Sequence, residues 1–510
     1  MKRIMTFILL LALLAPAAVV AQAGGPGAAV LKWMRENMGM EIGSVTIDGD
    51  SYSKVVLSPE VRMGKVKLGL YLPVIYKDDL FNPTSWYQPG GNNEWDFGAR
   101  YWGTANGTVD GILDVASDII LKIKYLEYGQ PLDDPFFLKV GNLHDLTIGH
   151  GLIMRNYRND SDFPSIRRTG VNTGIDFGSF GFEALANDLP VPEIFGARLY
   201  FRPIKQSKLA FGISGVADLA ASRDLAGTAY DAAADNFVFI GTGVDLDLPI
   251  IKSNEILSLR AFADASVTLP YVKTGFASPN VGATDDISGG LQTDLVWDGG
   301  PRNWGAAAGF LGNVLFIDWR LEYRYFTGIF KPAFFDSTYE RSRSIYVQKY
   351  IGYLDGSEDI SEAPTVMGIY GEAGFSLFKD KLTLLAGYMW PFSPEAGFSL
   401  DDADDEFHAG IVIKKGLIPI VDVAGAVYYD KWGLVNSIVD DSFTFFDEKT
   451  AFAGEIEIPI PSTPNLAVGV IFKAIAKRNA DGNVVYVDSA DPMKGIEMMP
   501  SITIETRFRF

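Results

Sequence analysis

Apolar and polar side chains alternate along most of this chain with a period of two residues, which is the period of a β-strand. The clearest run covers residues 317–325. One face carries Ile317, Trp319, Leu321, Tyr323 and Tyr325, and the other carries Asp318, Arg320, Glu322 and Arg324. Four charged side chains in succession on one face of a strand are too costly to bury in a dry core. The opposite face is too apolar to meet water cheaply, so the run predicts a strand between water and an apolar medium.

The same alternation recurs over residues 65–74, 259–266 and 466–473, and many such segments run for ten or more residues. A soluble β-sandwich or propeller also alternates, but its strands usually have about five or six residues. A tilted strand that crosses a bilayer needs about 9–11 residues. Aromatic residues cluster where several segments end, as at 388–392 and 428–432. Such clusters are typical of the interfacial girdles of membrane barrels, so the pattern favours a transmembrane antiparallel β-barrel.

The first 23 residues have the pattern of a secretory signal peptide. Lys2 and Arg3 form a charged start, an apolar run follows to Val20, and residues 21–23 read Ala-Gln-Ala, a typical cleavage site. An N-terminal anchor helix is the alternative. Beyond residue 23 there is no apolar stretch of 18 residues, so no helical membrane span is expected.

The C-terminal residues carry the most specific pattern. In the segment 502–510, apolar residues stand at 502, 504, 508 and 510 with charges between them, and Phe508 and Phe510 are aromatic. This segment resembles the assembly signal of Gram-negative outer-membrane β-barrel proteins, a class that includes the porins; Thr506 departs from the usual apolar residue. The resemblance implies a bacterial outer-membrane location, with the barrel-assembly machinery, outer-membrane lipid and lipopolysaccharide as partners.

Turns and loops give an expected organisation. Short turns, such as 62–65 and 415–416, alternate with longer polar segments, such as 220–235 and 478–497. This is the arrangement of short periplasmic turns and long extracellular loops. We expect about 18 strands, within a range of 16–20. The predicted units are the signal peptide at 1–23, a periplasmic segment at 24–50 (a short helix, a plug or a flexible leader) and the barrel at 51–510.

The composition excludes several classes of function. The chain has 510 residues, a formal net charge of −19 and no cysteine. The negative charge argues against a nucleic-acid partner, and the missing cysteine excludes disulfides, a thiolate nucleophile and cysteine-based metal sites. The three histidines have no spacing suited to shared chelation and no recognisable catalytic partners, so we expect neither an enzyme nor a cofactor. Acidic segments at 355–362, 401–406 and 440–448 suit solvated loops, with loosely bound Ca²⁺ as the alternative.

Arginine is concentrated in one part of this acidic chain. The predicted pore-lining residues are Arg155, Arg158, Arg167, Arg168, Arg198 and Arg202, together with the mixed ladder Asp318, Arg320, Glu322 and Arg324. A basic track on the lumen wall would attract anionic solutes. The alternative is that these charges neutralise one another, as the ladder itself suggests.

These observations predict an outer-membrane channel or porin-like protein that passes small polar or anionic solutes passively through a charge-lined lumen. One alternative is a FadL-like transporter of hydrophobic compounds, with residues 24–50 inside the barrel. The other is a structural or adhesin barrel whose lumen is closed by side chains.

Overall fold

A computed structural model describes residues 38–509, apart from 89–94, 102–106, 132–133, 205–208, 252–255, 281–282, 380, 396–397, 399–403, 419–421, 440–443, 462, 464 and 480. The described chain is an antiparallel sheet that closes on itself. Its strands are β1 Met38–Ile47, β2 Asp50–Met63, β3 Val66–Leu70, β4 Leu72–Tyr76, β5 Ile123–Tyr128, β6 Phe136–Gly141, β7 Gly170–Asp176, β8 Phe180–Ala186, β9 Ile194–Ile204, β10 Leu209–Asp218, β11 Phe237–Ile251, β12 Leu257–Val272, β13 Gly290–Leu291, β14 Trp304–Val314, β15 Ile317–Phe326, β16 Val366–Leu377, β17 Leu382–Phe392, β18 Glu406–Ile413, β19 Ala424–Trp432, β20 Thr450–Pro459, β21 Leu466–Ala476 and β22 Met498–Arg509.

The helices lie in the connections between strands. They are α1 Gly107–Leu121, α2 Tyr339–Leu354 and α3 Leu434–Val439, with 3-10 turns at Pro83–Ser85, Arg223–Leu225, Asp231–Ala233, Thr293–Leu295, Ile360–Glu362 and Pro492–Lys494. Within the described part of the chain, none of these helices is both long and apolar enough to cross a membrane.

Over the described residues the barrel wall has 20 strands, because β3 and β4 both pair with β2 as one interrupted strand and the two-residue β13 pairs with the end of β12. The wall closes where β1 pairs with β22, in the register Gly39↔Arg509 to Val45↔Thr503. The prediction of an antiparallel barrel is therefore confirmed, and 20 strands lie at the upper end of the expected range.

One predicted boundary is wrong. The barrel begins at Met38 rather than at residue 51, since Met38–Ile47 is the strand that closes the wall. Its alternation is diluted by Gly39, Gly43 and Ser44, which hid it from a hydropathy pattern. The signal peptide at 1–23, residues 24–37 and Phe510 lie outside the described residues.

The two faces of the wall follow the predicted alternation. On β15, Leu321 and Tyr323 are 51% and 46% exposed on the outer surface, while Glu322 and Arg324 point inward and are 2% and 3% exposed. Residues that are paired across neighbouring strands point to the same face of the sheet, for example Leu321 of β15 and Phe310 of β14. An apolar surface that surrounds the whole sheet is the face that a membrane barrel presents to lipid.

Successive connections alternate between the two ends of the barrel. One end, called here the short-turn end, carries tight connections such as 64–65 and 315–316; the other, the long-loop end, carries 142–169, 327–365 and 477–497. A two-residue turn at the long-loop end joins β1 to β2 through Asp48 and Gly49, at φ values of 52° and 82°. Both residues have a left-handed backbone conformation, which a two-residue hairpin turn of this type requires, and Asp-Gly is a favoured pair for such a turn.

Candidate solute pathway through the barrel

A segment of 28 residues between β6 and β7, residues 142–169, folds into the barrel and is called here the crossing loop. It contacts walls far apart around the circumference. The His150 ring is 2.8 Å from Asp264 of β12, and the Arg155 guanidinium donates to Glu372 of β16 at 2.7 Å. On another side, the backbone amide of Ala476 at the end of β21 donates to Asp162 at 3.1 Å. The loop therefore spans the lumen rather than lining one wall.

Helix α2, from the connection between β15 and β16, also lies inside the barrel. The charged side chains of its first half, Glu340, Arg341 and Arg343, are buried, and the two arginines are among the most deeply buried large side chains of the described residues. Asp162 of the crossing loop lies between two guanidinium groups, at 2.7 Å from Arg341 of α2 and 2.7 Å from Arg478 of the connection after β21. One carboxylate thus joins three separate segments of the chain.

Two more charged clusters attach α2 to its surroundings. Glu340 accepts from Asn187 at 3.0 Å and also bonds Arg168 and Tyr157 of the crossing loop. Arg343 faces three carboxylates, at 2.8 Å from Glu193 and 3.4 Å from both Asp218 and Asp224. Charges buried this deeply are tolerated only when they are paired, so these clusters fix the position of α2.

An aromatic core fills the space beside these charges. Phe335 and Tyr339 lie 4.5 Å apart, and Phe239 of β11 contacts Phe334 and Tyr350, each at 5.0 Å between ring centroids. All five side chains are buried. The long-loop half of the lumen is therefore packed in the manner of a soluble protein core.

Four of the six predicted arginines belong to the crossing loop, Arg198 lies midway along β9, and Arg202 lies near the short-turn end beside the turn after β7. Ion pairs join most of these side chains to carboxylates. The partners are Glu372 and Glu322 for Arg155, Asp145 for Arg158, Glu340 for Arg168, Asp245 for Arg198 and Asp176 for Arg202. The pair of Arg198 with Asp245 is bidentate, at 3.0 and 2.6 Å. Arg167 stacks over the ring of Tyr71 at 4.6 Å. Carboxylates thus accompany the predicted basic track along most of its length.

The predicted ladder on β15 forms in part. Glu322 accepts from Arg320 at 2.8 Å and from Arg324 at 2.6 Å, and Arg324 continues to Glu406 of β18 at 2.7 Å. Asp318 is exposed and joins none of the ion pairs found within the described ranges. The ladder therefore runs sideways from β15 to β18 rather than along the full length of β15.

A cavity of about 660 Å³ lies in the other half of the lumen, near the short-turn end, and is called here the inner cavity. Its lining includes five cationic and four acidic side chains: Lys54, Arg62, Lys124, Arg167, Arg507, Glu41, Glu60, Glu455 and Glu505. Lys54 bonds Glu505 at 2.6 Å, and Glu505 also accepts from Arg507 at 2.7 Å. Ser58, Tyr71 and Asn142 add polar atoms, so the cavity offers both donors and acceptors to a polar solute.

Most of the inner-cavity residues escape a search of the sequence for charge clusters. Only Arg167 belongs to the predicted set. The other charged lining residues come one to three at a time from strands near the two ends of the chain, and only the closure of β1 on β22 brings Lys54 beside Glu505. Glu505 and Arg507 alternate with the apolar residues of the C-terminal signal, which identifies their inward parity but not their neighbours.

Two connection carboxylates have strongly lowered pKa values. Burial opposes the charged form of Asp162, but Arg341 and Arg478 outweigh it and lower its pKa to about 2. Burial acts on Glu193 in the same way, and Arg343, Arg223 and Arg168 lower its pKa to about 2. Both groups are therefore ionised over the whole neutral and mildly acidic range.

Several carboxylates of the predicted acidic segments are occupied by contacts within the protein. Asp355 accepts from Asn280 at 2.8 Å, and Asp404 is 2.9 Å from the Lys449 ammonium. Residues 401–403 and 440–443 lie outside the described part. Loose Ca²⁺ binding at these segments stays a prediction.

No protein-family model matches this chain, and no curated protein matches its sequence. Solved structures of membrane barrels do align with it over most of its length. Wzi of Escherichia coli, described as a carbohydrate-binding β-barrel involved in group 1 capsule assembly, aligns at 8% identity and a TM-score of 0.32, covering 95% of this chain and 86% of its own.

Two further structures align in the same way. The outer-membrane protein OprD of Pseudomonas aeruginosa has 8% identity and a TM-score of 0.31, with 92% of each chain covered. The ferric-catecholate import receptor Fiu of E. coli has 8% identity and a TM-score of 0.33, with 93% of this chain and 82% of its own covered. Similarities at this level assign the chain to no family.

Proposed function

We propose that the protein is a porin-like channel of the bacterial outer membrane that passes small polar solutes, with a preference for anions. The observation that carries this proposal is the inner cavity, a polar space of about 660 Å³ inside a closed barrel with an apolar outer surface. A charged lumen in an apolar shell provides a path for solutes that a bilayer excludes.

The cellular location belongs to the same proposal. A signal peptide at 1–23 and an aromatic C-terminal strand are the features expected of a chain that is exported and inserted by the barrel-assembly machinery. The short-turn end would then face the periplasm and the long loops would face outward, toward lipopolysaccharide.

The preference for anions follows from the composition of the cavity. Five cations face four carboxylates in its lining, in a chain whose formal net charge is −19. A local surplus of one positive charge in a narrow space attracts anions more than the net charge of the protein suggests. A transporter of hydrophobic compounds would instead require a lining free of charges, whereas nine charged side chains line this cavity.

The packed long-loop half favours a second candidate, a barrel that conducts nothing and has a structural role. Conductance in planar bilayers separates the two. For the channel we expect discrete steps of small amplitude, since the crossing loop and α2 narrow the lumen. A refolded barrel of correct circular dichroism that gives no steps, either alone or after its packed half is loosened by Asp162→Asn, would refute the channel.

Lys124→Glu tests the proposed selectivity. The substitution changes the lining from five cations and four carboxylates to four and five, so the preference should reverse from anions to cations. Reversal potentials in a KCl gradient measure this. Lys494→Glu, at an exposed position of the connection 477–497, makes the same change of charge outside the lumen and is the matched control. Equal potentials for the two variants would contradict a selective role of the cavity.

A further inference from the structure

The barrel wall is much lower on one side than elsewhere. Strands β5 and β6 have only six residues each, whereas β11 and β12 have 15 and 16. Six residues rise about 20 Å along a strand, or about 15 Å when the strand is tilted by about 40°. The apolar belt of an outer-membrane barrel is about 25 Å tall, so about 10 Å of the bilayer core would face no strand here.

The C-terminal end of helix α1 adjoins this low part of the wall. Its last residue, Leu121, is separated from the first residue of β5, Ile123, only by Lys122. Beside it, β4 continues upward without β5 as a neighbour in the described sheet, because on that side β5 pairs with β3 up to Leu70↔Ile123 and its other neighbour is β6. An α-helix is about 10–12 Å across and a helix of this length is about 22 Å long, so α1 is large enough to cover the missing height in any orientation.

The outer face of α1 is apolar. Val109, Ile112, Leu113 and Ile119 lie on one side of the helix, and each is 58–63% exposed. Outward strand residues such as Ile213, at 64%, have the same exposure. A surface helix of a soluble protein places such residues toward its core, so α1 has the reverse arrangement and matches the outer surface of the barrel.

The inner face of α1 is acidic and is bound to the chain segment 95–101, which precedes the helix. Asp118 accepts from the backbone amide of Phe97 at 2.7 Å, and Asp114 accepts from that of Gly98 at 2.8 Å and from Arg100 at 3.0 Å. Trp95, in the same short segment, donates to the backbone oxygen of Pro73 in β4 at 2.8 Å. Polar contacts therefore connect the helix, through this segment, to strand β4. The apolar side of the helix faces outward.

We propose that α1 is part of the membrane-facing wall and that its outer face contacts the hydrocarbon chains of the lipid bilayer. The helix would close the side of the barrel where the strands are too short to do so. The inference goes beyond solute passage and rests on the proposed function only in that the barrel must lie in a membrane.

Single cysteines test this in a chain that has none of its own. Ile112→Cys is labelled with an environment-sensitive fluorophore and refolded into phosphatidylcholine vesicles with or without brominated acyl chains. Leu321→Cys, on the outer face of β15, is the lipid-facing control, and Ser489→Cys, in an exposed part of the connection 477–497, is the water-facing control. Ile119→Cys repeats the measurement on the same face of α1.

We expect bromolipid quenching at positions 112 and 119 within about twofold of that at 321 and at least about threefold stronger than at 489. Quenching at 112 and 119 no stronger than at 489, with 321 still quenched, would overturn the inference and leave the membrane barrel intact. Disulfide-linked dimers of the unlabelled Ile112→Cys variant, without quenching of the labelled one, would overturn it in favour of a contact between two copies. Absence of quenching at 321 would refute the membrane barrel itself.

Discussion

The two halves of the lumen are built from the same strands but have opposite interiors. Toward the long loops, the crossing loop and α2 fill the barrel with buried aromatics and clustered ion pairs. Toward the short turns, the inner cavity stays open, and its charges come from the wall apart from Arg167 of the crossing loop, which also contributes Asn142 and Phe163 to the lining. The difference shows that the wall provides a polar interior throughout, and that the inserted segments decide where it stays open.

The strongest way to break this contrast is to remove the charge of Asp162. Asp162→Asn keeps the shape but leaves Arg341 and Arg478 buried without their carboxylate. Breaking a buried ion pair in this way costs about 3–5 kcal/mol. We expect a lower free energy of unfolding, measured in urea, and a severalfold larger conductance. Asp298→Asn, at an exposed surface pair with Arg302, is the matched control and should change neither.

Acid should loosen the same half more gradually. The pKa values of Asp162 and Glu193 are about 2 in the folded protein and about 4 in an unfolded chain. Because the folded values are lower, these groups stabilise the fold above pH about 4, and that contribution is lost as the pH falls toward 2. Conductance should therefore rise between pH 4 and 2 in the native chain and rise less in Asp162→Asn. A pH-independent conductance over this range would show that these clusters do not hold the lumen closed.

The smallest effect is expected from the predicted basic track. Arg155→Ala combined with Arg198→Ala removes two charges that already face Glu372, Glu322 and Asp245. Anion preference should fall, but by about twofold at most, and less than in Lys124→Glu, because these guanidinium groups lie in the packed half. A reversal-potential shift equal to that of Lys124→Glu would place the selective region at the crossing loop instead.

The sequence predicts the barrel because its strands follow a local pattern, the alternation of apolar and polar residues with a period of two. Whether a side chain faces lipid or lumen is set by its parity along the strand, so the run from Ile317 to Tyr325 predicts its two faces without knowledge of its neighbours. The pattern does not predict strand β1, because small residues weaken its period. The arginine cluster is evident from the composition, but the sequence does not show which carboxylates of β7, β11, β15, β16 and α2 pair with it.

The sequence by itself determined an antiparallel barrel with an apolar outside and a charged inside, since the period of two acts residue by residue. Only the tertiary structure decided which charges neutralise one another, where the lumen is filled and where a helix replaces part of the wall. Those features depend on contacts between residues far apart along the chain, such as Asp162 with Arg478 or Lys54 with Glu505. Such distances are fixed by barrel closure and loop insertion, and no local pattern encodes them.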